Sequence, residues 1–318
     1  MQSGGLAWLM RIVMMGSGGV GGFFGGRLAN AGEDVRFVAR GAHLQALRTD
    51  GLTIENEPQG DIHVVGVRAS EHPTELGPAD LVIVSVKLWD TEAAARQIEP
   101  LIGAHTAVLS LQNGVIKDEI LRGIFPERNI MGGVAYVATH ISRPGVIHQV
   151  GTMQRIVVGE YDGRVSDRAK ALHEALVRSG VTAELSTDVR RSIWEKYVFL
   201  VGLSATTTTT RRPLGAVLEH DRSRAFLHEI MREVVRVGRA QGVHLAEDYA
   251  DQRMAFAKTL PYDMTSSMAH DLERGNRLEV DWLSGGVVKL GKEAGVATPA
   301  NEAVCAILSV HAAGREKT

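Results

Sequence analysis

The chain has 318 residues, a hydrophobic fraction of 44% and a formal net charge of −2 from 35 basic and 37 acidic residues. This length exceeds what one hydrophobic core usually serves, so we expect two domains. The balanced charge argues against nucleic acid and against an acidic membrane surface as partners. No apolar run reaches the roughly 18 residues that a membrane-spanning helix needs. Composition therefore predicts an ordinary globular protein.

The number and spacing of cysteines and histidines, together with the first nine residues, further limit the class of protein. Cys305 is the only cysteine, which excludes an internal disulfide and a multi-cysteine metal site and fits a reducing compartment. The twelve histidines lack His-Glu-x-x-His or similar spacing, so no metal site is expected. Residues 1–9 lack the basic and apolar segments of a signal peptide, and Met10 is a second candidate start. We therefore expect a cytoplasmic protein.

The first predicted elements flank a glycine-rich turn. Residues 11–15 predict a buried strand, and residues 19–31 predict the helix that follows. The Gly-x-Gly-x-x-Gly spacing between them allows a tight turn, lets a pyrophosphate approach the backbone and lets the helix pack closely on the strand. Free N–H groups at a helix N-terminus favour anions. An ordinary glycine-rich turn is the alternative, but the flanking elements favour a dinucleotide site at Gly16, Ser17, Gly18, Gly19, Val20 and Gly21.

The rest of the first half alternates apolar strands and helices. Strands are predicted at residues 35–39, 81–86 and 107–111, and a helix at residues 91–102. This alternation predicts a Rossmann-type, doubly wound parallel sheet, in which ligands bind beyond the carboxyl ends of the strands. Lys87 and Asn113 follow two of these strands directly, so they are candidate site residues.

The end of the second predicted strand indicates which dinucleotide binds. A site for NAD usually has Asp or Glu about twenty residues after the glycines, but this position carries Arg40. Glu33 and Asp34 come before the strand and are too early. An arginine can instead form charge-assisted bonds to a 2′-phosphate. A solvated surface arginine is the alternative; we expect NADP.

The pattern changes after residue 166. Residues 169–179 predict a helix and residues 181–185 a short strand, and nearly everything afterwards is helical. We expect a boundary near residue 187, with an NADP-binding Rossmann-like domain at 10–187 and an all-α substrate domain at 188–318. The threonine run at residues 206–210 predicts a frayed helix end, because β-branched residues disfavour helix interiors. The later helices are expected at residues 192–206, 223–241, 248–260, 281–294 and 301–313.

Candidate chemistry lies in the helical half. Lys196 is on its first predicted helix, with Leu200 and Ser204 on the same face. A lysine that is partly desolvated can protonate an alkoxide, whereas a lone helix lysine is usually solvated. Residues 265–271 contain a Ser-Ser pair that can bind a carboxylate, or that supplies a helix N-cap. Glu279 can orient a substrate hydroxyl, and Asp281 is predicted to cap the next helix.

Together these residues resemble the ketopantoate reductase (2-dehydropantoate 2-reductase) family. The resemblance extends from Met10 to about Ala313 and implies an NADPH-dependent reductase. Lys196 would be the general acid and Glu279 its catalytic partner, Ser267 would touch the substrate, and Lys87 and Asn113 would line the nicotinamide and substrate region. The matching motifs are the glycine turn with Arg40, Val86-Lys87, Leu111-Gln112-Asn113-Gly114-Val115, Trp194-Glu195-Lys196, Ser266-Ser267-Met268-x-x-Asp271, Glu279-Val280-Asp281 and Thr298-Pro299-x-Asn301.

Two substrate-facing positions depart from the family pattern. The best-known members carry Asn four and eight residues after the catalytic lysine, and this chain carries Leu200 and Ser204. A serine can retain one hydrogen bond, but leucine removes both a donor and an acceptor. The departure weakens the expectation that 2-dehydropantoate is the substrate.

Three functions therefore stay open. The preferred one is NADPH-dependent reduction of 2-dehydropantoate to pantoate. The second is the same chemistry on another 2-oxo acid, which Leu200 and Ser204 favour. The third is a non-catalytic NADP-binding sensor, against which Lys196 and Glu279 argue. The sequence leaves the oligomeric state open, although helical domains with exposed apolar stripes often form homodimers.

Overall fold

The computed structural model describes residues 9–55 and 60–315. Residues 1–8, 56–59 and 316–318 lie outside the described residues, and the expectation for residues 1–9 falls there except at Leu9. The chain divides into two compact units. The first contains the residues up to Gln112 together with Lys117–Val189, and the second contains Asn113–Ile116 and the residues from Arg190 onwards. No described helix combines the length and the apolar composition that crossing a bilayer requires.

The first unit is built on one mixed sheet. Its order is β4-β3-β9-β8-β7-β6-β1-β2-β5, and β10 pairs with β9 outside this path. Within the described residues the ten strands are β1 (Arg11–Met15), β2 (Asp34–Val38), β3 (Leu52–Glu55), β4 (Ile62–Val64), β5 (Arg68–Ser70), β6 (Leu81–Val84), β7 (Ala107–Ser110), β8 (Ile130–Arg143), β9 (Val146–Gly159) and β10 (Thr182–Leu185).

The parallel half of the sheet carries the predicted Rossmann topology. Strand β1 pairs in parallel with both β2 and β6, and β6 pairs in parallel with β7. Successive side chains of a strand point to opposite faces, and in β1 Ile12 and Met14 belong to one buried cluster while Val13 and Met15 belong to another. Both faces of β1 are therefore covered, which explains why the strand is a continuous apolar run.

Five helices accompany the sheet in the first unit. They are α1 (Gly19–Asn30), α2 (Gly41–Thr49), α3 (Thr91–Ile98), α4 (Lys117–Arg122) and α5 (Asp167–Arg178). One buried cluster includes aromatic side chains of α1, and the cluster on the other face includes side chains of α3. The sheet is therefore covered by helices on both faces, as a doubly wound fold requires.

The sheet is not wholly parallel, which corrects the prediction of a parallel sheet. Strands β8 and β9 pair antiparallel, and so do β3 and β4. The two residues between β8 and β9 are Pro144 and Gly145, and the φ of Gly145 is 78°, in the left-handed region that favours glycine. The end of β8 next to this turn and the middle of β9, residues 150–155, are half-buried or exposed. They therefore lack the apolar runs by which β1, β2, β6 and β7 were predicted.

The second unit is helical in its described residues, as predicted for the C-terminal half. Helix α8 packs against α7, α9, α11 and α12. Helix α6 begins at the last residue of the first unit and runs for 22 residues. The helices are α6 (Val189–Thr210), α7 (Leu214–Glu219), α8 (Asp221–Ala240), α9 (Tyr249–Ala257), α10 (Ser267–Arg274), α11 (Ser284–Ala294) and α12 (Pro299–Leu308).

The threonine run at the end of α6 is not frayed, so that prediction is wrong. Thr206, Thr207 and Thr208 are buried. The hydroxyls of Thr206, Thr207, Thr209 and Thr210 donate to carbonyls one turn earlier, at 2.6–2.8 Å. Tertiary burial and these side-chain bonds outweigh the weak helix propensity of threonine. The helix ends instead where Arg211 adopts a φ of 54°.

The prediction that Asp281 caps a helix is also wrong. Helix α11 begins at Ser284, and the residue at its N-cap position is Leu283. Residues 279–283 form a turn in which the carbonyl of Glu279 accepts the N–H groups of Trp282 and Leu283. This turn delays the helix by three residues and leaves the side chain of Asp281 exposed.

Candidate active site

The glycine turn has the geometry that a dinucleotide site needs. Gly16 adopts a φ of 98°, which permits the turn out of β1. A Cβ on Gly21 would overlap the carbonyl oxygen of Gly16 and the hydroxyl of Ser85. A Cβ on Gly18 would meet no described atom within 4 Å, so a ligand can approach its backbone. Helix α1 begins at Gly19 and directs its first N–H groups toward the turn.

Two side chains fix the turn from the neighbouring elements. The hydroxyl of Ser17 is buried and donates to the carbonyl oxygen of Val38, at 3.2 Å. The Nε2 atom of His43, on α2, lies 2.9 Å from the carbonyl oxygen of Ser17, and its Nδ1 accepts the N–H of Gly145 at 3.1 Å. Nε2 is then the donor to Ser17, so this ring is neutral. His43 was not predicted, because only the fold brings these three segments together.

The end of β2 presents Arg40 rather than an acid. Arg40 is exposed and immediately precedes α2. The acidic residues near the strand are used by the fold. Buried Glu33 pairs with Arg178 at 2.6 Å and accepts the N–H of Met10. Asp34 pairs with Arg36 at 2.6 Å, and the hydrogen bond from Arg36 lowers the pKa of Asp34.

Gln112 connects the segments that follow β6 and β7. No role was predicted for this residue from the sequence. Its amide nitrogen donates to the carbonyl oxygen of Val86 at 2.9 Å and to the hydroxyl of Thr91 at 2.8 Å, and its amide oxygen accepts the hydroxyl of Ser110 at 2.9 Å. Lys87 follows Val86, is exposed and lies with its Nζ 5.7 Å from the ring centroid of Trp89. The bonds of Gln112 therefore fix the backbone next to Lys87.

A buried lysine supports the same strand ends. Lys117 is only 1% exposed, and its Nζ donates to the carbonyl oxygens of Ser110 and Gly133 at 2.9 and 3.2 Å. Burial lowers the pKa of Lys117, and the carboxylate of Asp118 opposes that effect. Asp118 also accepts the hydroxyl of Tyr161 at 2.5 Å. This cluster supports the sheet and has no place among the predicted site residues.

In the second unit, the structure brings two predicted site residues into contact. The Nζ of Lys196 donates to the amide oxygen of Asn113 at 2.8 Å. Both side chains are half-buried. The two residues are 83 positions apart in the chain, so the sequence indicated each one separately but not their pairing.

Leu200 and Ser204 continue the face of α6 that carries Lys196. Leu200 is half-buried, whereas Ser204 is 1% exposed. The hydroxyl of Ser204 finds no hydrogen-bond partner among the described residues, and neither does that of buried Ser284 at the start of α11. An unsatisfied buried hydroxyl costs about 1–3 kcal/mol. A polar ligand that reaches either hydroxyl would therefore be stabilised. Ser284 was not predicted from the sequence.

The two serines of the Ser-Ser pair differ: Ser266 caps a helix, whereas Ser267 is exposed. The hydroxyl of Ser266 accepts the N–H of Ala269 at 3.1 Å and is thus the N-cap of α10. Its oxygen also lies 2.9 Å from the hydroxyl oxygen of Thr207 on α6, whose own hydrogen is donated to Leu203. Ser266 is therefore the donor in that bond. Ser267, the first residue of α10, is exposed.

Glu279 lies in the segment that leads to α11. Its side chain is 8% exposed, and its carbonyl oxygen begins the turn described above. The second unit therefore contains the pair Lys196–Asn113, the α6 face with Leu200 and Ser204, the start of α10 with Ser267, and Glu279. The glycine turn, Arg40 and Lys87 belong to the first unit. These groups offer a backbone site for phosphates and a separate set of proton-donating and hydrogen-bonding side chains.

Comparisons with known proteins identify the family that the chain resembles. The family model "Ketopantoate reductase PanE/ApbA" matches residues 12–163, and its C-terminal counterpart matches residues 188–312. A 2-dehydropantoate 2-reductase of Mesorhizobium japonicum is 32% identical over 94% of this chain and 97% of its own length. The "uncharacterized oxidoreductase YkpB" of Bacillus subtilis is 31% identical over 96% of this chain and 99% of its own length.

A solved structure gives the same result for the fold. The PanE/ApbA family ketopantoate reductase from Ralstonia eutropha JMP134 is 34% identical, with a TM-score of 0.86 over 95% of this chain and 98% of that chain. The two matching family models together span most of the chain, and the relatives are matched over nearly their full length. The chain is therefore an oxidoreductase that belongs to the ketopantoate reductase PanE/ApbA family.

Proposed function

We propose that this protein is an NADPH-dependent reductase of a 2-oxo acid and that 2-dehydropantoate is its substrate, with pantoate as the product. The observation that carries the proposal is the 2.8 Å bond between Lys196 and Asn113, beside a helix face that also bears Leu200 and Ser204. The bond gives the ammonium group of Lys196 a defined orientation, which supports a role as proton donor; a reductase needs such a donor and a protein that only binds a dinucleotide does not.

The first unit supplies the cofactor site of this proposal. The glycine turn fits a pyrophosphate, because Gly18 leaves its backbone open and Gly21 allows α1 to pack against the turn. Exposed Arg40 stands where an NAD site has a carboxylate, while Glu33 and Asp34 are held in ion pairs. These observations support NADP over NAD. Bound NADPH supplies the hydride that the carbonyl carbon accepts.

Lys196 supplies the proton. Its ammonium group has three N–H donors, so one can stay on Asn113 while another points to the carbonyl oxygen of the substrate. The proton passes to that oxygen as the carbon accepts the hydride, and the product is an alcohol. Glu279, a nearly buried carboxylate, is the catalytic partner that the family resemblance assigns to Lys196. General acids of this kind contribute about 10²–10⁴-fold to rates.

The remaining groups bind the substrate. Ser267 and the free N–H groups at the start of α10 suit the carboxylate of a 2-oxo acid. The unsatisfied hydroxyl of Ser204 suits a polar group of the substrate, whereas Leu200 can offer only apolar contact. For this reason the same chemistry on another 2-oxo acid, one without a hydroxyl near Leu200, is the second candidate function.

Steady-state NADPH oxidation with a panel of 2-oxo acids tests the proposal, with the unmodified protein beside Lys196→Ala. We expect turnover of 2-dehydropantoate, and in Lys196→Ala a kcat lower by about 10²–10⁴-fold with nearly unchanged NADPH affinity. Turnover of another 2-oxo acid but not of 2-dehydropantoate would select the second candidate. NADPH binding without turnover of any 2-oxo acid would instead indicate the non-catalytic sensor.

A further inference from the structure

Tyr197 follows the proposed proton donor directly in the chain and points into the interior. It is 1% exposed. Its hydroxyl donates its one hydrogen to the carbonyl oxygen of Leu283 at 2.6 Å, and the carbonyl oxygen of Trp282 lies 3.2 Å from it. Burial raises the pKa of the Tyr197 hydroxyl well above its usual range, so the group stays protonated and remains a donor at all working pH values.

The carbonyls that Tyr197 binds belong to the turn that begins at Glu279. The carbonyl oxygen of Glu279 accepts the N–H groups of Trp282 and Leu283, at 3.1 and 3.0 Å. A single path of hydrogen bonds therefore leads from the residue after Lys196, through Leu283, to the backbone of Glu279. These carbonyl contacts satisfy the buried hydroxyl of Tyr197.

The surroundings of the phenol leave little freedom for its hydroxyl. A Cβ on Gly286, in the first turn of α11, would lie 2.7 Å from the Tyr197 hydroxyl oxygen and 3.1 Å from Ile116 Cδ1. The Trp194 ring meets the Tyr197 ring edge-on, with centroids 5.6 Å apart. Ile116 is three residues after Asn113, so the phenol lies where α6, α11 and the Asn113 segment meet in the second unit.

We propose that Tyr197 is a positioning residue whose hydroxyl fixes the backbone of Glu279 relative to Lys196 and Asn113. The proposal rests on the proposed function of Lys196 and Glu279. Tyr197 itself touches neither substrate nor cofactor. It keeps Lys196 and Glu279 in a fixed position relative to each other, so that the ammonium group of Lys196 meets the carbonyl oxygen of the substrate in the correct orientation.

Tyr197→Phe tests this role because it removes the hydroxyl and keeps the ring. Small misplacements of catalytic groups reduce rates by up to about 10²-fold, and we expect kcat to fall by about 10-fold. The KM of the substrate and the affinity for NADPH should change by less than about twofold, because no binding group is lost. A role in folding alone would lower the melting temperature and leave kcat unchanged, and that result would overturn the proposal.

Gly286→Ala is a second, independent test. Alanine favours a helix more than glycine does, but its methyl group would displace the Tyr197 hydroxyl. We expect a fall in kcat similar to that of Tyr197→Phe. The double variant should lose no more than either single one, because both changes break the same contact. Should Tyr197→Phe fail to fold, a normal kcat in Gly286→Ala would overturn the proposal and a reduced kcat would support it.

Tyr161→Phe is the matched control. It also removes a phenol hydroxyl that donates a hydrogen bond, but from a half-buried side chain to Asp118 in the first unit, and its kcat should remain within about twofold of normal. Lys196→Ala, measured in the same series, separates the two proposals. If Lys196→Ala keeps its kcat, the proposed function fails. If Lys196→Ala is slow while Tyr197→Phe and Gly286→Ala are both normal, only the positioning role fails.

Discussion

The first and second units carry their functional groups in different ways. In the first unit the proposed cofactor site is mainly backbone: a turn between β1 and α1, whose shape depends on Gly16 and Gly21 and whose N–H groups would bind the phosphates. In the second unit the proposed catalytic groups are the side chains of Lys196, Asn113 and Glu279. Lys196 contacts Asn113, which lies 83 residues earlier in the chain. A backbone site tolerates few substitutions but is local in sequence, whereas a side-chain site can change one residue at a time.

This difference explains where the chain follows its family and where it departs. The glycine spacing is intact, because Gly21 has no room for a Cβ. Leu200, by contrast, is only half-buried on its helix face. We expect a change there to alter which hydrogen bonds a ligand can make. Substrate preference should therefore vary more easily than cofactor binding.

Gly21→Ala should have the largest effect on stability. Its methyl group would overlap the backbone oxygen of Gly16, and overpacking of this kind costs about 3 kcal/mol. Gly18→Ala is the control, because its methyl group meets open space, and we expect its free energy of unfolding to stay within about 1 kcal/mol of normal. Urea unfolding monitored by circular dichroism compares the two. Equal losses of stability in both variants would contradict the geometry of the turn.

Arg40→Ala should reduce the preference for NADPH over NADH. A hydrogen bond from arginine to a charged phosphate contributes about 1.5–3 kcal/mol, so the ratio of kcat/KM for the two cofactors should fall by about one to two decades. Arg48→Ala, in the helix α2 that Arg40 precedes, also removes an exposed arginine; it is the control and should leave the ratio unchanged. If the unmodified protein uses NADH and NADPH equally well, the assignment of Arg40 is wrong.

Leu200→Asn should sharpen selectivity for 2-dehydropantoate. The amide restores a donor and an acceptor, and sites that bond a substrate hydroxyl reject analogues without it. We expect the ratio of kcat/KM for 2-dehydropantoate over 2-oxoisovalerate to rise by about 10-fold. Leu200→Met keeps an apolar side chain of similar volume and should leave the ratio near its original value. A ratio that also rises in Leu200→Met would rule out the amide as the cause.

His43 should make the smallest contribution to the free energy of unfolding, and that contribution should depend on pH. Burial lowers the pKa of His43, and in the folded protein Nδ1 accepts the N–H of Gly145, which requires the neutral ring. Below pH of about 6.5 the unfolded chain binds a proton at this residue more readily than the folded chain does. Stability is therefore unaffected above that pH and falls as the pH drops toward the folded-state pKa.

His43→Gln should remove part of this dependence. Comparing the free energy of unfolding between pH 5 and pH 7 for both proteins should show a flatter curve in the variant. The difference should correspond to no more than one proton, because a single imidazole binds at most one proton in either state. Parallel curves would show that protonation of His43 is not linked to folding.

The sequence predicted the local features of the fold better than those that depend on tertiary contacts. The β1 turn and α1 follow from the spacing of neighbouring residues, and the structure has them within one residue of the predicted ends. The hairpin of β8 and β9 was not predicted, because the end of β8 and the middle of β9 are too polar and exposed to form apolar runs. The threonine run was misjudged because propensity cannot indicate that Thr206 and its neighbours are buried.

The candidate site shows the same limit. Lys196, Asn113, Ser267 and Glu279 were all named from their motifs, but their roles remain proposals. No motif indicates that Lys196 contacts Asn113, or that Ser266 caps α10 while donating to Thr207. The role of Tyr197 is equally hidden, because its carbonyl partners lie more than eighty residues later. Contacts of this kind depend on how helices pack, which a single sequence does not specify.

The most direct measurement compares Gly18→Ala with Lys196→Ala in two quantities, the Kd for NADPH and kcat at saturating NADPH. If backbone binds the cofactor and side chains perform the chemistry, Gly18→Ala should raise Kd by about tenfold or more, since loss of a phosphate contact costs about 1.5–3 kcal/mol, with kcat nearly unchanged. Lys196→Ala should lower kcat by about 10²–10⁴-fold with Kd nearly unchanged. If each substitution changes both quantities to the same extent, this division of roles is wrong.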